Sequence, residues 1–101
     1  MNDEHYIRLA IAQAAQAEAL GEVPIGALIV IKGEIIAAAH NRTITDHDPA
    51  AHAEILALRA AGQTLANHRL GGATLYVTLE PCTMCTGALV HARIDRLVFG
   101  A

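Results

Sequence analysis

The sequence predicts an α/β domain in which helices cover both faces of a mixed β-sheet. The chain has 101 residues, which is the length of one domain. Its helical and strand patterns follow one another in the order α-β-β-α-β-α-β. The closing strand, helix and strand imply a right-handed crossover between parallel strands, so the sheet carries helices on both faces.

The first helix and a β-hairpin are predicted for the N-terminal part of the chain. Apolar side chains recur at helical spacing over residues 3–20, and Gly21 follows as a stop signal. The continuous apolar run at residues 26–31 has the length of a strand. Lys32-Gly33 then makes a turn into a second strand at residues 34–38, so the two strands form a hairpin.

A polar loop precedes the second predicted helix. Residues 40–48 are too rich in Asn, Thr, Asp and His to belong to the core. Asp48-Pro49 is a helix-start signal, because Asp can cap a helix and Pro suits its first position. The helix is predicted to run from there to Ala61, with Gly62 closing it.

The remaining elements complete the crossover. Residues 73–79 read as a strand that follows a glycine-rich loop. Glu80-Pro81 begins a third helix, which is predicted to run to Ala92. Residues 96–99 form the last short strand.

Composition and charge narrow the function classes. The chain is 53% hydrophobic, far above disordered chains, yet no apolar run approaches the roughly 18 residues of a membrane span. Its polar, acidic opening does not fit a signal peptide, so we expect a cytoplasmic protein. Seven Lys and Arg against ten Asp and Glu give no general basic surface for nucleic acid. Candidates for phosphate contacts, if the fold clusters them, are Arg42, Arg59, Arg69, Arg93 and Arg96.

Cys82 and Cys85 are the two cysteines of the chain, and their Cys-x-x-Cys spacing indicates metal or redox chemistry. In the first turn of the third helix both sulfurs lie on one face and can bind one ion. The helix N-terminus favours the thiolate form that zinc needs. A redox pair is disfavoured, because the motif follows Pro81 and no charged or aromatic residue separates the cysteines.

His52, at the start of the second helix, is the best candidate for a third ligand. Three protein ligands leave the fourth position of a tetrahedral site open, as in catalytic zinc sites. A structural zinc site would recruit a fourth ligand such as His47 or His91, and this alternative stays open. Glu54 points away from His52 on a regular helix, but near a helix start it can reach the open position and act as a general acid and base.

These motifs resemble a known family. His52-Ala53-Glu54 and Pro81-Cys82-Thr83-Met84-Cys85 resemble the zinc signature of the cytidine and deoxycytidylate deaminase superfamily. Within this superfamily the chain is most similar to the bacterial tRNA-specific adenosine deaminases. The similar segments occur in the same order at residues 22–27, 41–42, 47–49, 51–55, 73–82 and 96–101.

The resemblance implies a three-layer α/β/α sandwich of the cytidine deaminase type and a hydrolytic reaction. It implies that His52, Cys82 and Cys85 hold one zinc ion per chain. It also implies that Glu54 moves the protons when adenosine is converted to inosine.

The resemblance further implies that Asn41, Ile25 and Leu79 bind the substrate. A turn role for Asn41 and plain core packing of Ile25 and Leu79 are the alternatives. The implied partner is a tRNA anticodon stem-loop, or another single-stranded nucleic acid, with its target adenosine at the wobble position. The implied assembly is a homodimer, and no membrane is involved.

Two other hypotheses stay open. The acidic charge balance also fits a deaminase of a free base or nucleoside, such as guanine or cytosine. The family is expected to continue past residues 96–101 with a further strand and helices, so a zinc-binding core without turnover is the other hypothesis. We interpret residues 1–101 as a single deaminase catalytic core whose last strand lies at an exposed edge.

Overall fold

The computed structural model describes residues 2–100, and the elements in that range follow the predicted order. The sheet has the strand order β2-β1-β3-β4, so β2 and β4 are its edges. β1 pairs antiparallel with both β2 and β3, whereas β3 and β4 are parallel. The predicted α/β class with a mixed sheet is therefore confirmed. The elements are α1 (Asp3–Ala19), β1 (Gly26–Ile31), β2 (Glu34–His40), α2 (Ala53–Leu65), β3 (Ala73–Val77), α3 (Thr83–Ala92) and β4 (Arg96–Phe99).

The helices cover opposite faces of the sheet, as predicted. Leu28 and Val30 of β1 pack with residues of α1, whereas Ala27 and Ile29 belong to the core that α2 and α3 cover. Side chains alternate between the two faces of a strand, and both faces of β1 are covered. This double burial explains why β1 is a continuous apolar run. None of the described helices has the length and apolar character that a bilayer span requires.

Small residues set the distance between α1 and β1. Ala10 and Ala17 are fully buried, and Ala14 is nearly so. A Cβ atom added to Gly26 would overlap the carbonyl oxygen of Ala10 and lie 2.6 Å from the backbone nitrogen of Ala14. The backbone of α1 therefore lies directly on the first residue of β1, which only glycine allows.

The second helix begins later than predicted. It starts at Ala53, not at Pro49. The Asp48 carboxylate accepts a hydrogen bond from the N–H of Ala50 at 2.9 Å, and the Asp48 carbonyl accepts one from Ala51. Asp48 therefore closes a local turn, which competes with helix capping.

Other predicted boundaries also shift. Gly62 does not stop α2, which continues to Leu65 and ends where Ala66 adopts a left-handed conformation at φ 51°. A glycine inside a helix costs only about 1 kcal/mol, so packing overrides it. The third helix begins at Thr83, after the predicted Glu-Pro start, and β3 ends at Val77. The second strand is longer than predicted because residues 39 and 40 still pair with β1.

We expect Gly26→Ala to lower the free energy of unfolding by about 3 kcal/mol, because the added methyl group overlaps backbone atoms of α1. Gly71→Ala is the matched control, since no atom lies within 4 Å of a Cβ at that position. Denaturant unfolding followed by circular dichroism measures both. Equal stability of the two variants would contradict the close packing of α1 on β1.

Candidate metal centre

The three predicted metal ligands come together between the starts of α2 and α3. Nδ1 of His52 lies 3.6 Å from Sγ of Cys82 and 3.5 Å from Sγ of Cys85. The three ligand atoms lie within 4.8 Å of one another. In residues 2–100, no other group of three metal-ligating side chains comes this close together.

These distances fit a tetrahedral zinc site. With Zn–N near 2.0 Å and Zn–S near 2.3 Å, tetrahedral angles place nitrogen and sulfur about 3.5 Å apart. One imidazole N–H cannot point at two sulfurs at once. A cation between the three atoms therefore accounts for the arrangement better than hydrogen bonds do, and it would keep one position for a further ligand.

Both helices place a metal ligand at the N-cap position. His52 and Cys82 have extended backbones, with φ −73° in both and ψ of 152° and 175°, and neither side chain caps its own helix. An N-cap side chain normally reaches over the third helical residue, which in α3 is Cys85. The two sulfurs therefore share one face although Cys82, contrary to the prediction, precedes the helix.

Asn41 supplies a cap that α2 otherwise lacks. Its Oδ1 accepts a hydrogen bond from the backbone N–H of Ala53 at 3.2 Å, and the residue is buried. The backbone N–H of Asn41 donates to the carbonyl of Ile25 at 3.1 Å. These two bonds hold the start of α2, and with it His52, next to the residue that precedes β1. Asn41 therefore has a structural role, and its substrate contact stays a prediction.

Glu54 lies beside Cys85, one of the three candidate ligands. Because His52 has an extended backbone, the helical offset that was predicted to turn Glu54 away from it does not apply. Glu54 is 3% exposed, and its Oε1 has no hydrogen-bond partner among residues 2–100. A buried carboxylate oxygen without a partner is energetically costly. We interpret it as the group that faces the position a bound ligand would occupy.

Burial controls the protonation of Cys85. Burial first, and the negative charge of Glu54 second, raise the pKa of the Cys85 thiol well above its usual range. The thiolate-favouring effect predicted for the helix N-terminus is therefore outweighed at this residue. Because a divalent cation binds the deprotonated sulfur, metal binding would release the proton of Cys85.

The other predicted site residues lie at different depths. Ile25 is half-buried and packs against the core beneath α2. Leu79 is 48% exposed in the loop between β3 and α3, so the core-packing alternative is wrong for this residue. Neither His47 nor His91 belongs to the metal-ligand cluster found in the described part of the chain. The structural-zinc alternative therefore lacks a fourth protein ligand there.

Glu22, whose role no sequence pattern predicted, binds the loop that leads to the metal centre. Its buried carboxylate accepts hydrogen bonds from the backbone N–H groups of Ile44 at 3.2 Å and Thr45 at 2.7 Å. The hydroxyl groups of Thr43 and Thr45 also donate to it. These bonds fix the loop that leads from Asn41 to α2. No local pattern links a glutamate to a loop more than twenty residues away.

The family model described as the cytidine and deoxycytidylate deaminase zinc-binding region matches residues 1–101. The chain is 57% identical over 99 residues to the tRNA-specific adenosine deaminase of Bacillus subtilis. It is 55% identical over 100 residues to that of Haemophilus influenzae. Each match covers 98% of this chain, but 62% and 58% of the relatives. The chain thus spans about three-fifths of the length of these two relatives.

Solved structures share the fold. One, from a study of A-to-I editing by tRNA deaminases at the wobble position of transfer RNA, has a TM-score of 0.93 at 50% identity, covering 95% of this chain and 70% of that chain. The guanine deaminase of Bacillus subtilis has a TM-score of 0.97 at 39% identity, covering 100% and 65%. The predicted three-layer fold of the cytidine deaminase type is confirmed.

We expect the purified protein to carry about one zinc ion per chain and Cys85→Ala to lose most of it, because two ligands bind far more weakly than three. His47→Ala and His91→Ala are the controls and should keep the metal. Elemental analysis by mass spectrometry after dialysis measures the content. Zinc retained by Cys85→Ala, or lost by either histidine variant, would refute the ligand set.

Glu22 gives the fold an acid-sensitive contact. The hydroxyl of Thr45, helped by the backbone N–H groups, lowers the pKa of Glu22 below its ordinary value of 4.5, against the opposing effect of burial. The ionised carboxylate thus stabilises the fold above the unfolded-state pKa. This contribution disappears as the pH falls through the lower folded-state pKa.

We therefore expect Glu22→Gln to lower the melting temperature most near neutral pH, where the ionised carboxylate contributes fully. The difference from the wild type should shrink from about pH 6 to about pH 3. Glu18→Gln, which removes an exposed carboxylate from α1, is the control. Thermal unfolding across this pH range measures both variants, and a difference that does not change with pH would rule out the charged contact.

Proposed function

The chain belongs to the cytidine and deoxycytidylate deaminase zinc-binding family, and from this premise we propose that it converts adenosine to inosine at the wobble position of a tRNA anticodon loop. In this proposal residues 1–101 act as one catalytic core. The observation that carries it is the buried Glu54 carboxylate, which has an unpartnered oxygen and lies against Cys85 of the His52, Cys82 and Cys85 cluster. The similarity to two tRNA-specific adenosine deaminases supports the choice of substrate.

The proposed chemistry is hydrolytic, with water as the co-substrate and ammonia as the leaving group. His52, Cys82 and Cys85 would hold the zinc ion, which would supply a Lewis acid that makes water nucleophilic near neutral pH. Oε1 of Glu54 accepts the proton that water loses as its oxygen bonds to carbon 6 of adenine. Glu54 gives this proton to the ring nitrogen, then takes the proton of the new hydroxyl group on carbon 6 and gives it to the amine, which leaves as ammonia when the carbon–nitrogen bond breaks. Adenosine and water thereby give inosine and ammonia.

The side chains that we propose for substrate binding differ in polarity. Asn41 uses Oδ1 to hold Ala53, which keeps its Nδ2 as a donor for the target nucleotide. Leu79 is exposed and Ile25 half-buried, so both offer apolar surface to a base that has left its stack.

A deaminase of a free base is the second candidate. The guanine deaminase of Bacillus subtilis shares the fold at a TM-score of 0.97. The formal net charge of −3 also fits a small neutral substrate better than a polyanion. The two candidates need the same zinc and proton chemistry, so they differ only in the groups that hold the base.

We also propose a homodimer that works in the cytoplasm, where tRNA is available. The groove between α2 and α3 has a volume of about 820 Å³. Much of its lining is apolar, with Ile55, Leu58 and Leu70 on its wall. A second copy that packs on Ile55 and Leu58, and leaves the end of the groove at His68 and His91 open, would bury this apolar surface.

We expect Glu54→Ala to retain zinc and to lower the rate of deamination by about 10²–10⁴-fold, because it removes the proton carrier but no metal ligand. Glu34→Gln, an exposed acid in the hairpin, is the control. The assay follows inosine and ammonia from an adenosine-containing anticodon stem-loop, and in parallel reactions from free adenosine, guanine and cytidine.

The outcomes of this assay separate the hypotheses. Turnover of guanine without turnover of the stem-loop would favour the free-base candidate. Zinc binding without turnover of any substrate would favour the zinc-binding core. Full activity of Glu54→Ala would refute the role of Glu54 whichever substrate is used.

A further inference from the structure

The fold gathers scattered basic residues into one concave pocket. A cavity of about 360 Å³ lies where the loop after α2 meets the C-terminal end of α3. Its described lining contains two arginines, two histidines and one valine, and no acidic residue. The five residues are His68, Arg69, Val90, His91 and Arg93.

The two arginines of this basic pocket differ from the others in the chain. Each of the other four arginines forms an ion pair with an aspartate or glutamate: Arg8 with Glu4, Arg42 with Asp46, Arg59 with Asp48, and Arg96 with Asp3. Arg69 and Arg93 form no such pair within the described residues. The chain has a net charge of −3, yet the two arginines outside these ion pairs line the same pocket.

Backbone contacts fix this juxtaposition. The N–H of Leu70 donates to the carbonyl of Ala92 at 2.7 Å, which joins the residues that follow Arg69 and precede Arg93. The side chain of Asn67 accepts a hydrogen bond from the N–H of Arg69 at 3.0 Å. The two arginines therefore belong to neighbouring, hydrogen-bonded segments, although twenty-three residues, which include β3 and α3, separate them in the sequence.

Arg93 also occupies a position at which a side chain is unfavourable. It ends α3 with φ 63°, in the left-handed region where glycine is the usual residue. Its charge suits the negative end of the helix dipole, but that end carries only about half an elementary charge. The two positive charges of Arg69 and Arg93 exceed this partial negative charge, so the electrostatic potential in the pocket stays positive.

We propose that the basic pocket binds a backbone phosphate of the RNA substrate. Arginine forms charge-assisted, often bidentate hydrogen bonds to phosphate oxygens, and two arginines line this one pocket. A phosphodiester is the shared feature of all nucleotides, so this contact would position the RNA without reading its sequence. The inference rests on the proposed tRNA substrate and adds a contact outside the metal centre.

The pocket is far enough from the metal centre to act separately. Cys82 precedes α3 and Arg93 follows it, so the helix separates them by about 16 Å. With one phosphate per 3.4 Å along a strand, about five phosphates span this distance. An anticodon stem-loop is long enough to reach both sites, whereas a free base or nucleoside is not. The pocket would therefore favour RNA over small substrates.

The test uses a substitution that should not harm the fold. Arg93→Gly removes one guanidinium group and relieves the left-handed backbone. Lys32→Gly is the matched control, because Lys32 is exposed, forms no ion pair in residues 2–100 and has φ 51° in the hairpin turn. Arg69→Ala is the second pocket variant. All are made in the Glu54→Ala background, in which turnover is expected to be about 10²–10⁴-fold slower, and zinc content and circular dichroism should stay unchanged.

Fluorescence anisotropy with a labelled anticodon stem-loop, from about 50 to about 300 mM salt, measures binding. We expect each pocket variant to weaken binding about threefold or more. Each should also reduce the slope of log Kd against log salt by about 0.7–0.9, the loss of one phosphate contact. Lys32→Gly should leave affinity and slope as they are.

Equal effects of Arg93→Gly and Lys32→Gly, no effect of the pocket variants, or no RNA binding at all would each overturn the proposal. Vesicles of anionic lipid are titrated in parallel with the RNA. If the pocket variants lose binding to these vesicles but not to RNA, the proposal is also overturned. If the pocket variants weaken RNA binding but the wild type forms no inosine, the pocket stands and the proposed reaction fails. If a free base is deaminated while the pocket variants bind RNA normally, only the pocket fails.

Discussion

The whole site depends on the convergence of two helix N-termini. His52 and Cys82 occupy the N-cap positions of α2 and α3, and they turn their side chains toward each other instead of toward their own helices. A second sulfur and the buried carboxylate of Glu54 join them in the same small volume. Groups that become anionic cannot share such a volume stably without a compensating cation. The chain belongs to a zinc-binding family, and a zinc ion is such a cation.

The elements around this point serve to hold the two helix starts in place. Gly26 lets α1 lie directly on β1, and β3 pairs with β1 before the chain enters α3. On the other side, Glu22 holds the loop that follows β2, and Asn41 caps α2 through the N–H of Ala53. Each of these contacts joins residues distant in sequence. The geometry of the metal ligands is therefore a property of the folded chain, although the ligands occur in two short motifs.

Charge is distributed unevenly over the surface. Four ion pairs neutralise arginines across most of the molecule, while Arg69 and Arg93 remain together at the far end of α3. An acidic chain can therefore present a local basic site for a phosphate while most of its surface carries no excess positive charge. Net charge alone, which favours a small neutral substrate, does not describe this surface.

The sequence by itself determined the order of the elements, the mixed sheet and the choice of His52, Cys82 and Cys85 as candidate metal ligands. Periodicity, turn residues and the Cys-x-x-Cys spacing are local signals, because each depends only on which residue types lie a few positions apart in the sequence. The tertiary structure decided where the helices begin, since Asp48 closes a turn and does not cap α2. It also decided that the buried Glu54 carboxylate lies beside Cys85, that Glu22 supports the loop, and that two arginines share a pocket. The positions of Glu54, Glu22 and the two arginines rest on contacts between residues more than twenty positions apart, which no local pattern encodes. The turn at Asp48 is local, and it competes with a helix cap that the same side chain could form.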